Sequence, residues 1–145
     1  MMYDKFIHMG CNHFDKFRFK PISNRKGWIK PDGGLWASPE GSPYDWEQWV
    51  IENNFVYDLN SWFMFELKQN AKVLEITNSK QLKELPKCEI DLQYNWIALD
   101  FEKLANEYDA MLVMISSDSQ LYWDLYGWDC DTLLVFNPDV INVID

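Results

Sequence analysis

Six apolar runs of four to six residues punctuate the chain at Phe6–Met9, Gly33–Ser38, Trp62–Leu67, Val73–Ile76, Met111–Ile115 and Thr132–Phe136, and a seventh follows at Val140–Ile144. Runs of that length, bounded by Gly, Pro and Asn, read as strands. Between them lie helical patterns too irregularly placed for a repeating strand–helix–strand unit. Asp100 can cap a helix bearing Phe101, Leu104, Ala105 and Tyr108, and Asp118 one bearing Leu121 and Leu125. Ser42 can cap a helix with Pro43 at its first position and Asp45 as the capping-box carboxylate. Trp46, Trp49 and Val50 would form its apolar face, and Ser79 can open a short helix stopped at Pro86. This mixture predicts an α+β fold with a mostly antiparallel sheet.

A chain of 145 residues fits one domain, 1–145, and no linker or repeat divides it. Aromatic residues make up 17%, more than a core of this size needs, so some rings should serve a surface or pocket. Charge is unevenly spread. Residues 1–30 carry seven basic and two acidic residues, and the remainder carries six basic and 21 acidic ones. An acidic body argues against duplex nucleic acid, whose binding rests on phosphate neutralisation. The basic first segment could receive a small anion. Cys11, Cys88 and Cys130 are odd in number and far apart, which suggests no disulfide framework and a reducing, cytoplasmic setting. His8, Cys11 and His13 cluster, yet no second group completes a metal site, so no metal is expected. No apolar run approaches the ~18 residues that span a bilayer, and the polar N-terminus does not read as a signal peptide.

Three segments carry residues suited to one site. Ile7-His8-Met9-Gly10 presents an imidazole at a strand end, with a glycine that permits close approach. Gly33-Gly34-Leu35-Trp36-Ala37-Ser38 offers a flat stacking ring and a hydroxyl two residues on, on the same strand face. Asp129 and Asp131 stand at i, i+2 before a strand, spaced to share a face.

The order of these segments resembles the ADP-ribosyltransferases, in the branch that includes diphtheria toxin and the poly(ADP-ribose) polymerases. His8 and Gly10 match the first motif, Gly34, Trp36 and Ser38 the second, and Asp131 the late acid. Met9 stands between His and Gly, Trp36 stands where Tyr is usual, and Asp131 stands where Glu is usual. The resemblance implies a split sheet, NAD as substrate and transfer of ADP-ribose to a macromolecular acceptor, expected to be protein. In it His8 would hold the adenosine-side ribose, Gly10 backbone the nicotinamide amide, Trp36 the nicotinamide ring and Ser38 its amide. Asp131 would stabilise cationic charge on the ribose, with Asp129 as the alternative. Arg18, Lys20 or Lys30 could meet the pyrophosphate on charge grounds. An NAD glycohydrolase, an RNA 2′-phosphotransferase, or a non-catalytic acidic binding or inhibitor module are the other readings.

Overall fold

The computed structural model describes residues 1–26, 28–88 and 96–144. Among these residues seven strands are formed: β1 (Phe6–Met9), β2 (Leu35–Pro39), β3 (Trp62–Leu67), β4 (Val73–Ile76), β5 (Ala110–Val113), β6 (Thr132–Val135) and β7 (Ile141–Ile144). Three short helices accompany them: α1 (Trp46–Glu52), α2 (Phe101–Glu107) and α3 (Ser119–Asp124). The architecture is α+β. The sheet runs β4-β5-β6-β2-β1-β3-β7. It is mixed, since β4 and β5 pair in parallel while the other five pairs are antiparallel.

Every residue of β5 and β6 is buried. Their side chains alternate between two cores. Met111, Val113 and Leu134 join the first, with Phe101 and Leu104 of α2, Leu121 of α3, and Trp128. Leu112, Leu133 and Val135 join the second, with Leu35, Ala37, Phe6, Phe63 and Phe65. A sheet covered on both faces requires continuous apolar strands rather than alternating ones, which is how these segments read.

The shortest ladder lies in the middle. β1 and β2 are in register only at Phe6↔Pro39 and Ile7↔Ser38. Strand β1 instead pairs with β3 over four positions, Phe6↔Phe65 to Met9↔Trp62. Beyond Ile7 the strands part, and the Trp36 carbonyl takes a hydrogen bond from the His8 ring at 2.6 Å. Two half-sheets, β1-β3-β7 and β4-β5-β6-β2, thus meet along a short ladder that opens toward Trp36. The second apolar core spans both halves and holds them together.

Candidate functional site

A cavity of about 390 Å³ lies where the strands part, within the usual range for small-molecule sites. β1 contributes Ile7, His8 and Met9, and β2 contributes Trp36, Ala37 and Ser38. Arg25, Lys30 and Pro31 come from the segment before β2. Trp46 and Tyr57 close one side, and Trp128, Asp129, Cys130 and Thr132 come from the entry to β6.

His8 sits in the seam itself. By register it shares a sheet face with Phe6, and its ring lies 5.2 Å from that of Phe63, opposite it on β3. The imidazole then reaches between the strands to the Trp36 carbonyl. It therefore lines both the large cavity and a second one of about 150 Å³ bounded by Phe14, Arg18, Phe19 and Phe63. Nδ1 must carry the proton to donate to the Trp36 oxygen, leaving Nε2 as an acceptor. Burial lowers the His8 pKa below 6.5, partly opposed by the carbonyl bond, so the ring is neutral at pH 7.

Trp36 is fixed by its Nε1, which donates to the Gly33 carbonyl at 3.1 Å, and by Trp128, whose ring centroid is 5.0 Å away. Lys30 places Nζ 5.9 Å from the Trp36 ring and 3.6 Å from Asp129 Oδ2. Arg25 lies 4.4 Å over the Trp28 ring and pairs with Asp32 at 3.5 Å. Two cations, a carboxylate and three indoles thus border one cavity. Ser38 lines it too, but its Oγ accepts the Trp46 amide at 2.9 Å and so also anchors the first residue of α1. Cys130 is buried among these groups with its thiol pushed up to about 11, chiefly by desolvation, which makes it a poor nucleophile at neutral pH.

Asp131 does not join this site, which corrects the expectation that it lines one cleft with His8 and Trp36. It is fully buried. Its carboxylate accepts from the Ser116 amide at 2.8 Å, the Ser116 hydroxyl at 2.7 Å and the Tyr44 amide at 3.4 Å. Its own amide donates to the Tyr44 carbonyl at 2.9 Å. The expectation required extended backbone through 129–131. The chain bends at Cys130, just before β6, and the two carboxylates part. Asp129 is the one that lines the cavity.

The glycines are corrected as well. The Gly10 amide donates to the Ser61 carbonyl at 2.8 Å, and a Cβ there would lie 2.7 Å from Tyr57 Oη, so this residue makes room for Tyr57 rather than bordering the cavity. Gly34, at φ +71°, donates to the Lys20 carbonyl and packs against Leu134 and Ile22. Of the two cavities it borders the smaller. Of the three candidate pyrophosphate cations, Lys30 lines the large cavity, Arg18 lines the small one, and Lys20 lines neither.

Arg25, Trp46, Tyr57 and Trp128 went unread as site residues. The basic excess before residue 31 was a signal for Arg25, and the aromatic surplus a signal for the rings. Neither selects a position. The His8–Cys11–His13 cluster is tied up locally, with Cys11 Sγ donating to the His13 carbonyl at 2.9 Å and His13 Nδ1 bonded to Asn12 Oδ1. Among the described residues no group of three or more His, Cys, Asp or Glu side chains could hold a metal, and no helix is long and apolar enough to cross a membrane. The chain matches no protein-family model, no curated protein and no solved structure.

Proposed function

We propose that the chain is an NAD-dependent ADP-ribosyltransferase whose working carboxylate is Asp129. The observation that carries this reading is the convergence of His8, Trp36, Lys30 and Asp129 on one cavity at a parting between two strands. The finer fold assignment, an ADP-ribosyltransferase-like split sheet, belongs to the same proposal and draws support from the two-position β1–β2 ladder.

Each group has a task that its surroundings suit. The neutral His8 ring offers Nε2 as an acceptor for a ribose hydroxyl. Trp36, held by Trp128 and Gly33, offers a face to the nicotinamide ring. Ser38, whose oxygen already accepts from Trp46, still has a hydroxyl proton to donate to the nicotinamide carbonyl. Lys30 and Arg25 supply positive charge for the pyrophosphate. When the bond from ribose C1′ to the nicotinamide nitrogen breaks, its electron pair leaves with neutral nicotinamide and cationic charge builds on the sugar. A fixed carboxylate beside C1′ stabilises that charge. An acceptor oxygen or nitrogen then bonds to C1′ and gives up its proton to solvent water.

The test is nicotinamide release from NAD, with and without a protein extract as acceptor. Asp129→Asn should lower release by about 10²-fold or more, the scale for losing one preorganised electrostatic group, with NAD affinity kept within a few-fold. Release without label transfer would make the protein a glycohydrolase, with water as the acceptor. No release from wild type under either condition removes the enzymatic reading, and full activity in Asp129→Asn removes Asp129 from it.

A further inference from the structure

Helix α1 carries Trp46 and Trp49 one turn apart, with their rings stacked at 5.0 Å and 12°. The chain reverses after the helix through Asn54, at φ 51°, and the Phe55 amide bonds back to the Val50 carbonyl at 3.0 Å. This folds the Phe55 ring onto both indoles, 5.9 Å from Trp46 and 5.4 Å from Trp49. Tyr57 meets Trp46 edge-on at 5.3 Å and donates its hydroxyl to the Met9 carbonyl at 2.8 Å. The result is a wall of four rings, none of which belongs to either apolar core. Its outer side is open, with Ile51 61%, Phe55 49% and Val56 96% exposed. A contiguous, pinned apolar patch on a surface marks an interaction site more often than chance.

The segment that carries the wall has charge of one sign, and the cations Arg25 and Lys30 line the cavity that Trp46 and Tyr57 share. No Lys or Arg occurs from residue 31 to 67, while Glu40, Asp45, Glu47, Glu52 and Asp58 fall within nineteen positions. Among the described residues none of these five is ion-paired to a Lys or Arg. On the Trp49 and Phe55 side, outside the cavity that Arg25 and Lys30 line, these carboxylates repel phosphate and anionic lipid surfaces, and they repel a second copy of themselves. Indole and phenol faces flanked by carboxylates are instead the surroundings that attract guanidinium and ammonium groups.

We infer that this wall docks a lysine- and arginine-rich segment of a partner protein. Trp46 and Tyr57 belong both to the wall and to the cavity lining, so a segment lying on the rings ends at the cavity mouth. That the docked segment is the acceptor of ADP-ribose rests on the reading above, but the docking itself does not.

The experiment uses the full chain and a fluorescein-labelled peptide of alternating Arg and Gly, with a Glu-for-Arg peptide as comparison, followed by fluorescence anisotropy in about 150 mM salt, where distant charges are screened. The basic peptide should bind and the acidic one should not. The pair Trp49→Ala with Phe55→Ala should weaken binding by about tenfold or more, the loss of two cation–π partners. Because that pair could disturb the fold, Glu47→Lys and Val56→Ser, both at exposed positions, are run beside it and should each weaken binding several-fold. Glu84→Lys with Glu107→Lys, outside the wall, should change it less than about twofold at this screening. Equal losses from the outlying pair would reduce the effect to net charge and overturn the proposal. So would wall variants that bind like the parent, or a dimer in sedimentation that Val56→Ser dissociates, which would make a second copy the occupant. Because the peptide assay contains no NAD, a chain that binds the peptide and releases no nicotinamide keeps the docking site and loses only the transferase reading.

Discussion

Asp129 and Asp131 are two residues apart and have opposite surroundings. Asp129 faces a cavity and a lysine, whereas Asp131 has neither solvent nor a cation beside it and relies on three neutral donors. Both acids were visible in the sequence, but the bend at Cys130 that separates them was not, because a period-two argument holds only while the backbone stays extended. Asp131→Asn should therefore act on stability. An amide NH₂ would replace one acceptor oxygen and meet the Ser116 or Tyr44 N–H. The expected cost is about 2–4 kcal/mol for a disrupted buried charged network, read as a lower urea midpoint. A midpoint within error of wild type would refute the structural role. His8 makes a second residue-scale prediction. Its folded pKa lies below the 6.5 of an ordinary histidine, so the unfolded chain takes up its proton first as pH falls. Its contribution is fully present above about pH 6.5 and is lost as pH falls toward the folded value. Asp58 and Asp139, both held below 3.8, act with the same sign but only at lower pH. Urea midpoints measured from about pH 7 to 5 should fall more steeply in wild type than in His8→Gln, and parallel curves would show that the ring does not titrate on unfolding.

At the scale of elements, most of the chain was legible. β1, β3 and β4 occupy the ranges their apolar runs predict, and Asp100 and Asp118 cap α2 and α3 as expected. Two helix starts were misplaced for a shared reason. Asp45, not Ser42, caps α1 by accepting from the Gln48 amide, and Asn78, not Ser79, caps the 3₁₀ turn Ser79–Glu84 in a box with Gln81. Each segment offers several cap residues in a row, and tertiary contacts select one. At α1 the selector is Ser38, whose hydroxyl holds the Trp46 amide, while Ser42 Oγ is buried and finds no hydrogen-bond partner among the described residues. Strand pairing was the least legible property. The turn through Gln69 and Asn70 joins β3 and β4 in sequence, yet four strands separate them in the sheet. Nothing local to Val73–Ile76 says that it will run parallel to β5, whose partner residues lie 37 positions further on.

For the whole molecule, the order of strands matters more than their number. The chain builds β1 and β2 first and lets β6 arrive on the far side of β2, so groups from both ends of the sequence meet at the seam. The resemblance supplied a common site for His8, Trp36 and Asp131, and the structure brings His8 and Trp36 together with Asp129 in place of Asp131. It could not supply Arg25, which reaches the cavity through a segment without a strand or helix to mark it. A ladder of two register positions is also a mechanical fact. Each half-sheet is tied internally at three or four positions per pair, so fewer ladder positions tie the two plates to one another than tie the strands within each. Anything that grips His8 on one plate and Trp36 or Asp129 on the other fastens them like a clasp, and the affinity then includes the motion it stills. Occupancy should be written into amides that never touch the ligand. Hydrogen exchange at β3 and β7 should slow together when NAD binds, whereas protection confined to the cavity lining would mean that the plates were already locked.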